Sequence, residues 1–163
     1  MAFSGESAQL TWQRVKMFLA LTGASPLVVA QFKALKSSLA QLVAGGSPKL
    51  QFVYLDKTTN SSGDGNADQV ICGGACRLYG LYLKKNTGTT AGYNKISNHA
   101  TAVQAQGEII LASTAASEQC VYVNHVGKDF TTGATYASDT TYNGTTRSLL
   151  VDSSDGFAII AAE

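Results

Sequence analysis

The strongest constraint in the sequence is a change of hydrophobic period near residue 50. Before it, apolar residues recur every three or four positions, as they do on one face of a helix. After it, short runs rich in Val, Ile, Leu and Tyr alternate with turn residues such as Gly, Asn and Asp. We therefore expect a helical segment over residues 1–48, followed by a β domain over residues 49–163.

Two short helices are predicted in the first segment. Apolar residues recur at helical spacing in the first helix, between a candidate serine cap and a terminating glycine: Ser7, Leu10, Val15, Phe18, Leu19 and Gly23. Ser25 and Pro26 suit the start of a second helix, which Gly45 and Gly46 would end.

Five apolar side chains of the second helix form one stripe. They are separated by four, three, four and three residues: Val28, Phe32, Leu35, Leu39 and Leu42. Such a stripe requires a partner surface. Two alternatives stay open at this point. The stripe packs on the first helix or on this chain's own sheet, or it pairs with copies of itself around a symmetry axis.

The second segment contains nine strand candidates separated by turn signals. They are residues 50–55, 70–72, 76–85, 93–97, 108–113, 119–123, 135–138, 148–151 and 156–161. Short strands at intervals of roughly 8–12 residues, with no helical segment between them, indicate an antiparallel β-sandwich or a jelly-roll-like fold. The predicted fold class is therefore mainly β with an N-terminal helical segment.

Strict alternation assigns the side chains of the third candidate, CRLYGLYLKK, to two faces. It places Leu78, Gly80 and Tyr82 on one face, and Tyr79 and Leu81 on the other.

Charge is sparse, since Asp, Glu, Lys and Arg make up 14% of the chain and the net charge is +1. Residues 1–57 hold six basic and two acidic side chains, whereas residues 58–163 hold six basic and nine acidic ones. No overall field favours nucleic acid or a membrane as partner. Residues 1–9 lack the basic-then-apolar order of a secretion signal, so cytoplasmic synthesis is expected.

Candidate catalytic residues are few. His99 and His125 both fall in loop-like sequence after strands, and no nucleophile motif accompanies them. Cys72 and Cys76 are separated by three residues, a spacing that fits neither a redox dithiol nor a zinc site. With Cys120 they are interpreted as reduced, structural and mostly buried thiols. We assign no catalytic residue, no metal ligand and no cofactor.

Two Asp-rich stretches, residues 64–68 and 152–156, resemble the start of a calcium loop. An EF-hand starting at Asp64 would also need a carboxylate at its twelfth position, which is Ala75, and helices on both sides. We therefore expect turns stabilised by their own Asx side chains, with an irregular calcium site as the alternative.

Six of the seven tyrosines lie beyond the first predicted strand: Tyr79, Tyr82, Tyr93, Tyr122, Tyr136 and Tyr142. Most are expected to be ordinary sheet residues, because Tyr is favoured in strands. One or two of them lining a sugar-binding surface is the alternative.

Three segments resemble small virion proteins of tailed bacteriophages. Residues 76–93, CRLYGLYLKKNTGTTAGY, look like a strand "LYGLYLxN" that runs into "TGTTAxY". Residues 123–141 are similar to the element "dGlaFtTGltYaidtT", with matches at Phe130, Thr132, Gly133, Tyr136, Asp139 and Thr140. Residues 156–161, GFAIIA, resemble the closing strand. The resemblance covers about residues 68–163 and leaves out the helical segment.

This resemblance implies a β-sandwich virion accessory protein, namely a capsid decoration (cement) protein or a head-fibre component. Such a protein is commonly a homotrimer and binds the major capsid protein on the outside of assembled heads. On this interpretation the stripe of Val28, Phe32, Leu35, Leu39 and Leu42 is the oligomer or capsid interface. The alternative is a tail-fibre or carbohydrate-binding adhesion module, whose partner is a glycan. The resemblance implies no catalytic residue.

Overall fold

The computed structural model describes residues 5–44, 49–57, 69–85, 92–100, 107–113, 118–139 and 154–162. These ranges contain two helices, α1 (Gly5–Leu21) and α2 (Pro26–Ala44). They also contain eight strands: β1 (Leu50–Lys57), β2 (Gln69–Cys72), β3 (Cys76–Lys85), β4 (Gly92–Asn98), β5 (Ile109–Ser113), β6 (Gln119–Phe130), β7 (Ala134–Asp139) and β8 (Ser154–Ala162).

The strands form two antiparallel four-stranded sheets with nested pairing. The first sheet has the order β1-β8-β3-β6 and the second has the order β2-β7-β4-β5. The outermost strands along the chain, β1 and β8, pair with each other, and so do β2 with β7, β3 with β6 and β4 with β5. This order is that of a jelly roll, in which a long antiparallel hairpin is wound into two facing sheets. The predicted fold class is confirmed.

The helices form a third layer on the outer face of the first sheet. Helix α1 packs mainly on the edge strand β1, and α2 packs on β6 and β3. One core fills the space between the two sheets, and a second core lies between the first sheet and the helices. The helical segment is therefore built into the fold by its own core and is not an appendage to the sandwich.

The apolar stripe of α2 lies in this second core. Val28, Phe32, Leu35 and Leu39 expose 7%, 2%, 0% and 0% of their surface and pack with residues of α1 and the sheet. The side chain of Leu42 lies outside the described residues. Of the two alternatives for the stripe, the structure shows packing on this chain's own sheet. The expectation that these four residues form an oligomer or capsid interface is corrected accordingly, because burial within one chain removes them from the surface.

The connection between the helices follows the predicted signals. Gly23 has a φ of 66°, and the amides of Gly23 and Ala24 donate to the carbonyls of Ala20 and Leu19, as in a Schellman motif. The Ser25 hydroxyl accepts from the Val28 amide at 3.3 Å and caps α2. The cap predicted at Ser7 is wrong, because α1 already begins at Gly5 and Ser7 lies inside it.

A β-bulge changes the faces of β3. Its register with β8 shifts between Leu78 and Gly80, so Tyr79 is the extra residue. Leu78 and Leu81 consequently both face the inter-sheet core, while Tyr79 and Tyr82 both face the helices. The strict alternation expected for this strand is wrong for that reason.

Strand β6 extends beyond its predicted end at residue 123 and contains a bulge opposite that of β3. Leu78 pairs with Lys128 and Gly80 pairs with Val123, so the stretch 124–127 bulges out of the ladder. The Asn124 side chain accepts from the amides of Val126 and Gly127, both at 3.0 Å. The strand predicted at residues 148–151 and the loop at residues 64–68 lie outside the described residues.

Candidate interaction surface

A groove of about 660 Å³ lies between α1 and α2. Buried Val15, Leu19 and Phe32 contribute to its floor, and half-buried Trp12 and Val29 line it from the two helices. The groove follows α1 from Gln9 to the turn at Gly23 and Ala24. We call this site the helical groove.

The rim of the helical groove is basic. It carries the exposed side chains of Lys16 on α1 and of Lys33 and Lys36 on α2, and none of the described residues that line the groove is acidic. In the part of the chain that the structure describes, none of these three lysines forms an ion pair, whereas Arg77 bonds Asp129 at 2.5 Å and Lys128 bonds Glu108 at 2.9 Å on the sandwich. The groove therefore presents uncompensated positive charge beside apolar surface.

A second apolar surface lies on another side of α1. Leu10, Met17 and Leu21 expose 47%, 60% and 79% of their surface. Their separations of seven and four residues place them in one stripe, distinct from the buried stripe of Val15 and Leu19. We call these three residues the α1 ridge. Exposed apolar residues that share one face mark candidate contact surfaces.

Aromatic rings hold both helices against the sheet. Phe157, in the central strand β8, is surrounded by four rings. Its centroid lies 5.5 Å from that of Phe18, 5.1 Å from those of Phe32 and Phe52, and 5.6 Å from that of Tyr82. Since Phe18 belongs to α1 and Phe32 to α2, one side chain fixes both helices to one strand.

Hydrogen bonds fix the turn between the helices. The Tyr82 hydroxyl is 3.0 Å from the Thr22 hydroxyl, and burial raises the pKa of Tyr82. Gln119 accepts from the Ser25 amide at 3.0 Å and donates to the Gly23 carbonyl at 3.1 Å. Strands β3 and β6 thus hold the end of α1 and the start of α2, which gives the helical groove a preformed shape.

The two histidines lie at different sites. His99 directly follows β4, and its carbonyl accepts from the Thr135 hydroxyl at 2.6 Å. His125 lies in the bulge of β6, with Nδ1 2.6 Å from the hydroxyl of Ser38 on α2. Sequence reasoning expected His125 in a loop and gave no reason to pair it with Ser38. The side chains of Ser38 and His125 are both exposed to water. We therefore interpret their hydrogen bond as a structural contact between α2 and β6.

The three cysteines are free thiols. Cys76 and Cys120 are buried, while half-buried Cys72 donates to the Gly74 carbonyl at 2.8 Å across the predicted glycine turn. Burial, with a smaller contribution from Glu118, raises the pKa of Cys120 to about 11. Within the described ranges, no group of three or more His, Cys, Asp or Glu residues is arranged to hold a metal ion.

Most tyrosines are ordinary sheet residues, as expected, because those at positions 54, 79, 82, 93, 122 and 136 all lie in strands. Tyr79, Tyr82 and Tyr136 are buried, and Tyr93 and Tyr122 are half-buried. Tyr142 lies outside the described residues. Inside the sandwich, the Tyr136 hydroxyl donates to the Asn94 side chain at 3.0 Å, so its polar group is satisfied.

The described parts of residues 76–93, 123–141 and 156–161 include internal strands of both sheets and the second half of the edge strand β6. Residues 76–85 are β3 and residues 156–161 lie in β8, both internal strands of the first sheet, while β4 and β7 are internal in the second. Gly133 has a φ of 147°, and a Cβ there would approach the Cys72 carbonyl oxygen to 2.7 Å. A Cβ on Gly156 would clash with the Tyr82 carbonyl oxygen. These glycines are therefore required by the fold.

Comparison of the chain with protein-family models, with curated proteins and with solved structures found no match. Neither α1 nor α2 has the length and apolar character needed to cross a membrane. The helical groove and the α1 ridge are the surfaces that sequence reasoning missed. The spacing of Leu10, Met17 and Leu21 was visible, but which side of α1 faces the sheet was not.

Proposed function

We propose that this protein is a structural virion protein of a tailed bacteriophage, which binds the outside of the capsid as a decoration or cement protein and stabilises the head. Its partners are the major capsid protein and other copies of itself, in a homotrimer on the capsid surface. The observation that carries the proposal is the resemblance of residues 76–93, 123–141 and 156–161 to phage virion proteins.

The fold is compatible with this role. Viral capsid and lectin domains both use the jelly roll, although a fold alone does not specify a function. A protein that covers a repeated surface needs only modest affinity at each contact, because many contacts act together.

The contact surface of this proposal is the α1 ridge. The buried stripe of α2 is unavailable, whereas Leu10, Met17 and Leu21 offer apolar surface without unfolding the chain. Covering them in a trimer or against a capsid would remove apolar area from water, at about 25 cal/mol per Å².

Co-sedimentation with heads tests the proposal. Heads assembled from the major capsid protein of the same phage are expected to carry the protein down and to withstand higher temperature with it bound. The variant Met17→Glu/Leu21→Glu is expected to stay folded and to lose either the trimer or head binding. Val126→Glu is the control, since Val126 is 78% exposed but lies in the bulge of β6. Heads that do not bind the protein and do not withstand higher temperature in its presence would reject the proposal.

A carbohydrate-binding module of a tail fibre is the second candidate, because lectin domains share the jelly roll. Tyr54 on the edge strand β1 contacts the ring of Phe18 at 5.8 Å between centroids but is 47% exposed, and a sugar would stack on that exposed part. Binding to a glycan array that Tyr54→Ala abolishes, together with no binding to heads, would favour this candidate.

A further inference from the structure

The helical groove combines three features that specify a partner. Its floor is apolar, its rim carries Lys16, Lys33 and Lys36, and its lining contains no acidic side chain among the residues that the structure describes. Because the three lysines make no ion pair within the described ranges, a partner gains attraction without first breaking a contact. The complementary surface is therefore apolar along its middle and acidic along its sides.

The length and walls of the groove favour a helix as its occupant. The lined part of α1 from Gln9 to Ala20 is about 17 Å long at 1.5 Å per residue. A partner helix of about 12 residues would span this length. An extended strand would leave its backbone groups unpaired against the side chains of two helices, whereas a helix satisfies its own hydrogen bonds.

We propose that the helical groove binds an acidic amphipathic helix of a partner protein, with apolar residues on the floor and Asp or Glu beside Lys16, Lys33 and Lys36. This helix-in-groove contact would bury residues of the partner at positions i, i+3, i+4 and i+7. The inference rests on the proposed function in one respect: if the protein decorates a capsid, the bound helix belongs to a capsid component. The groove itself is preformed, because Phe157 and Gln119 hold both helices in place.

Trp12 provides a direct signal for occupancy. It is the chain's only tryptophan, it lines the groove and it is half-buried. A bound helix would remove its ring from water and shift its fluorescence to shorter wavelength.

The experiment titrates the purified full chain with two designed peptides of 14 residues. Both carry the same leucine stripe, flanked by Glu in one peptide and by Lys in the other. The Glu peptide is expected to bind and to shift the emission of Trp12, and the Lys peptide is expected not to bind. Lys33→Glu/Lys36→Glu should weaken binding by at least about tenfold, since two attractions become repulsions. Lys49→Glu, an exposed lysine outside the groove, is the control and should change the affinity by less than about twofold.

Equal binding of the two peptides, no binding of either, or equal effects of the groove and control variants would overturn the inference. Binding without any change in Trp12 emission would place the peptide elsewhere and overturn it as well. Vesicles of phosphatidylglycerol test the other anionic class, and binding to vesicles with no binding of the Glu peptide would also reject it.

The same variants separate this inference from the proposed function. If Lys33→Glu/Lys36→Glu binds both heads and peptide as the unmodified chain does, the groove proposal fails and the decoration role stands. If the Glu peptide binds as expected but heads do not, the groove proposal stands and the decoration role fails.

Discussion

The ring centroids of Phe32 and Phe157 lie 5.1 Å apart, joining α2 to the central strand β8. Both rings are buried, with 2% and 0% of their surface exposed. This contact settles how the apolar stripe of α2 is used, since its residues pack into the fold of their own chain. On the two helices, the surfaces left for partners are then their outward sides.

A matched pair of substitutions on α2 tests this placement. Leu35 is fully buried and Leu27 is 71% exposed. Leu35→Ala is expected to lower the free energy of unfolding by about 2–5 kcal/mol, because it leaves a cavity. Leu27→Ala should change it by less than about 0.5 kcal/mol. Urea unfolding measures both, and equal effects would show that α2 is not packed on the sheet.

Charge at the buried stripe gives a second prediction. Leu35→Asp/Leu39→Asp places two carboxylates in the core between α2 and the sheet, where neither has a solvent contact. We expect aggregated or unfolded protein, as judged by circular dichroism and light scattering. A well-folded monomer would instead indicate that the stripe served only an interface between copies of the chain.

Two glycine substitutions test the close packing of β8 against β3. Gly156→Ala directs a methyl group at the Tyr82 carbonyl oxygen, and backbone cannot move aside as a side chain can. We expect a loss of about 3 kcal/mol or more, or failure to fold. Gly74→Ala meets no atom within 4 Å and is the control. A stable Gly156→Ala variant would contradict the register between these strands.

The bond between Thr22 and Tyr82 predicts an energetic coupling between β3 and the turn that follows α1. A double-mutant cycle of Thr22→Val and Tyr82→Phe should give a coupling of about 1 kcal/mol, the usual net value of a hydrogen bond. Chemical unfolding of the four proteins measures it. Additive effects would mean that the two hydroxyl groups do not interact.

Cys120 predicts a dependence of stability on alkaline pH. Its pKa is raised to about 11 in the folded chain, whereas an unfolded thiol titrates near pH 8.5. Between these values the unfolded chain releases the proton while the folded chain retains it, so the free energy of unfolding falls as pH rises. Below pH 8 the group has no such effect.

Comparison with Cys120→Ala isolates this contribution. The stability difference between the unmodified chain and the variant should narrow by roughly 2–3 kcal/mol from pH 8 to pH 11. Urea unfolding across that range measures it. If the stability difference between the two proteins stays constant over this pH range, burial does not hold the Cys120 thiol in its protonated form.

Much of the fold was predictable from local signals. The stop at Gly23 and the cap at Ser25 both follow from backbone chemistry that any helix shares. Most strand positions followed from apolar runs between turn residues. The bulges were not predictable. In β3, Leu78 and Tyr79 are both apolar, so the hydrophobic pattern does not show which residue is extra. In β6, the bulge is held by the Asn124 side chain, which accepts from the amides of Val126 and Gly127.

The candidate surface was predictable only in part. The stripe of Val28, Phe32, Leu35 and Leu39 was identified as apolar, but periodicity does not say whether a sheet or another subunit covers it. The helical groove depends on how α1 and α2 pack side by side. That arrangement is set by Phe157, more than a hundred residues away in the sequence.

Electron cryo-microscopy of heads saturated with the protein tests the central proposal most directly. The account predicts added density at one fixed position of the outer capsid lattice, shaped like a jelly roll with two helices, with the α1 ridge covered by capsid or by another copy. Heads without added density, or density confined to the tail, would contradict it.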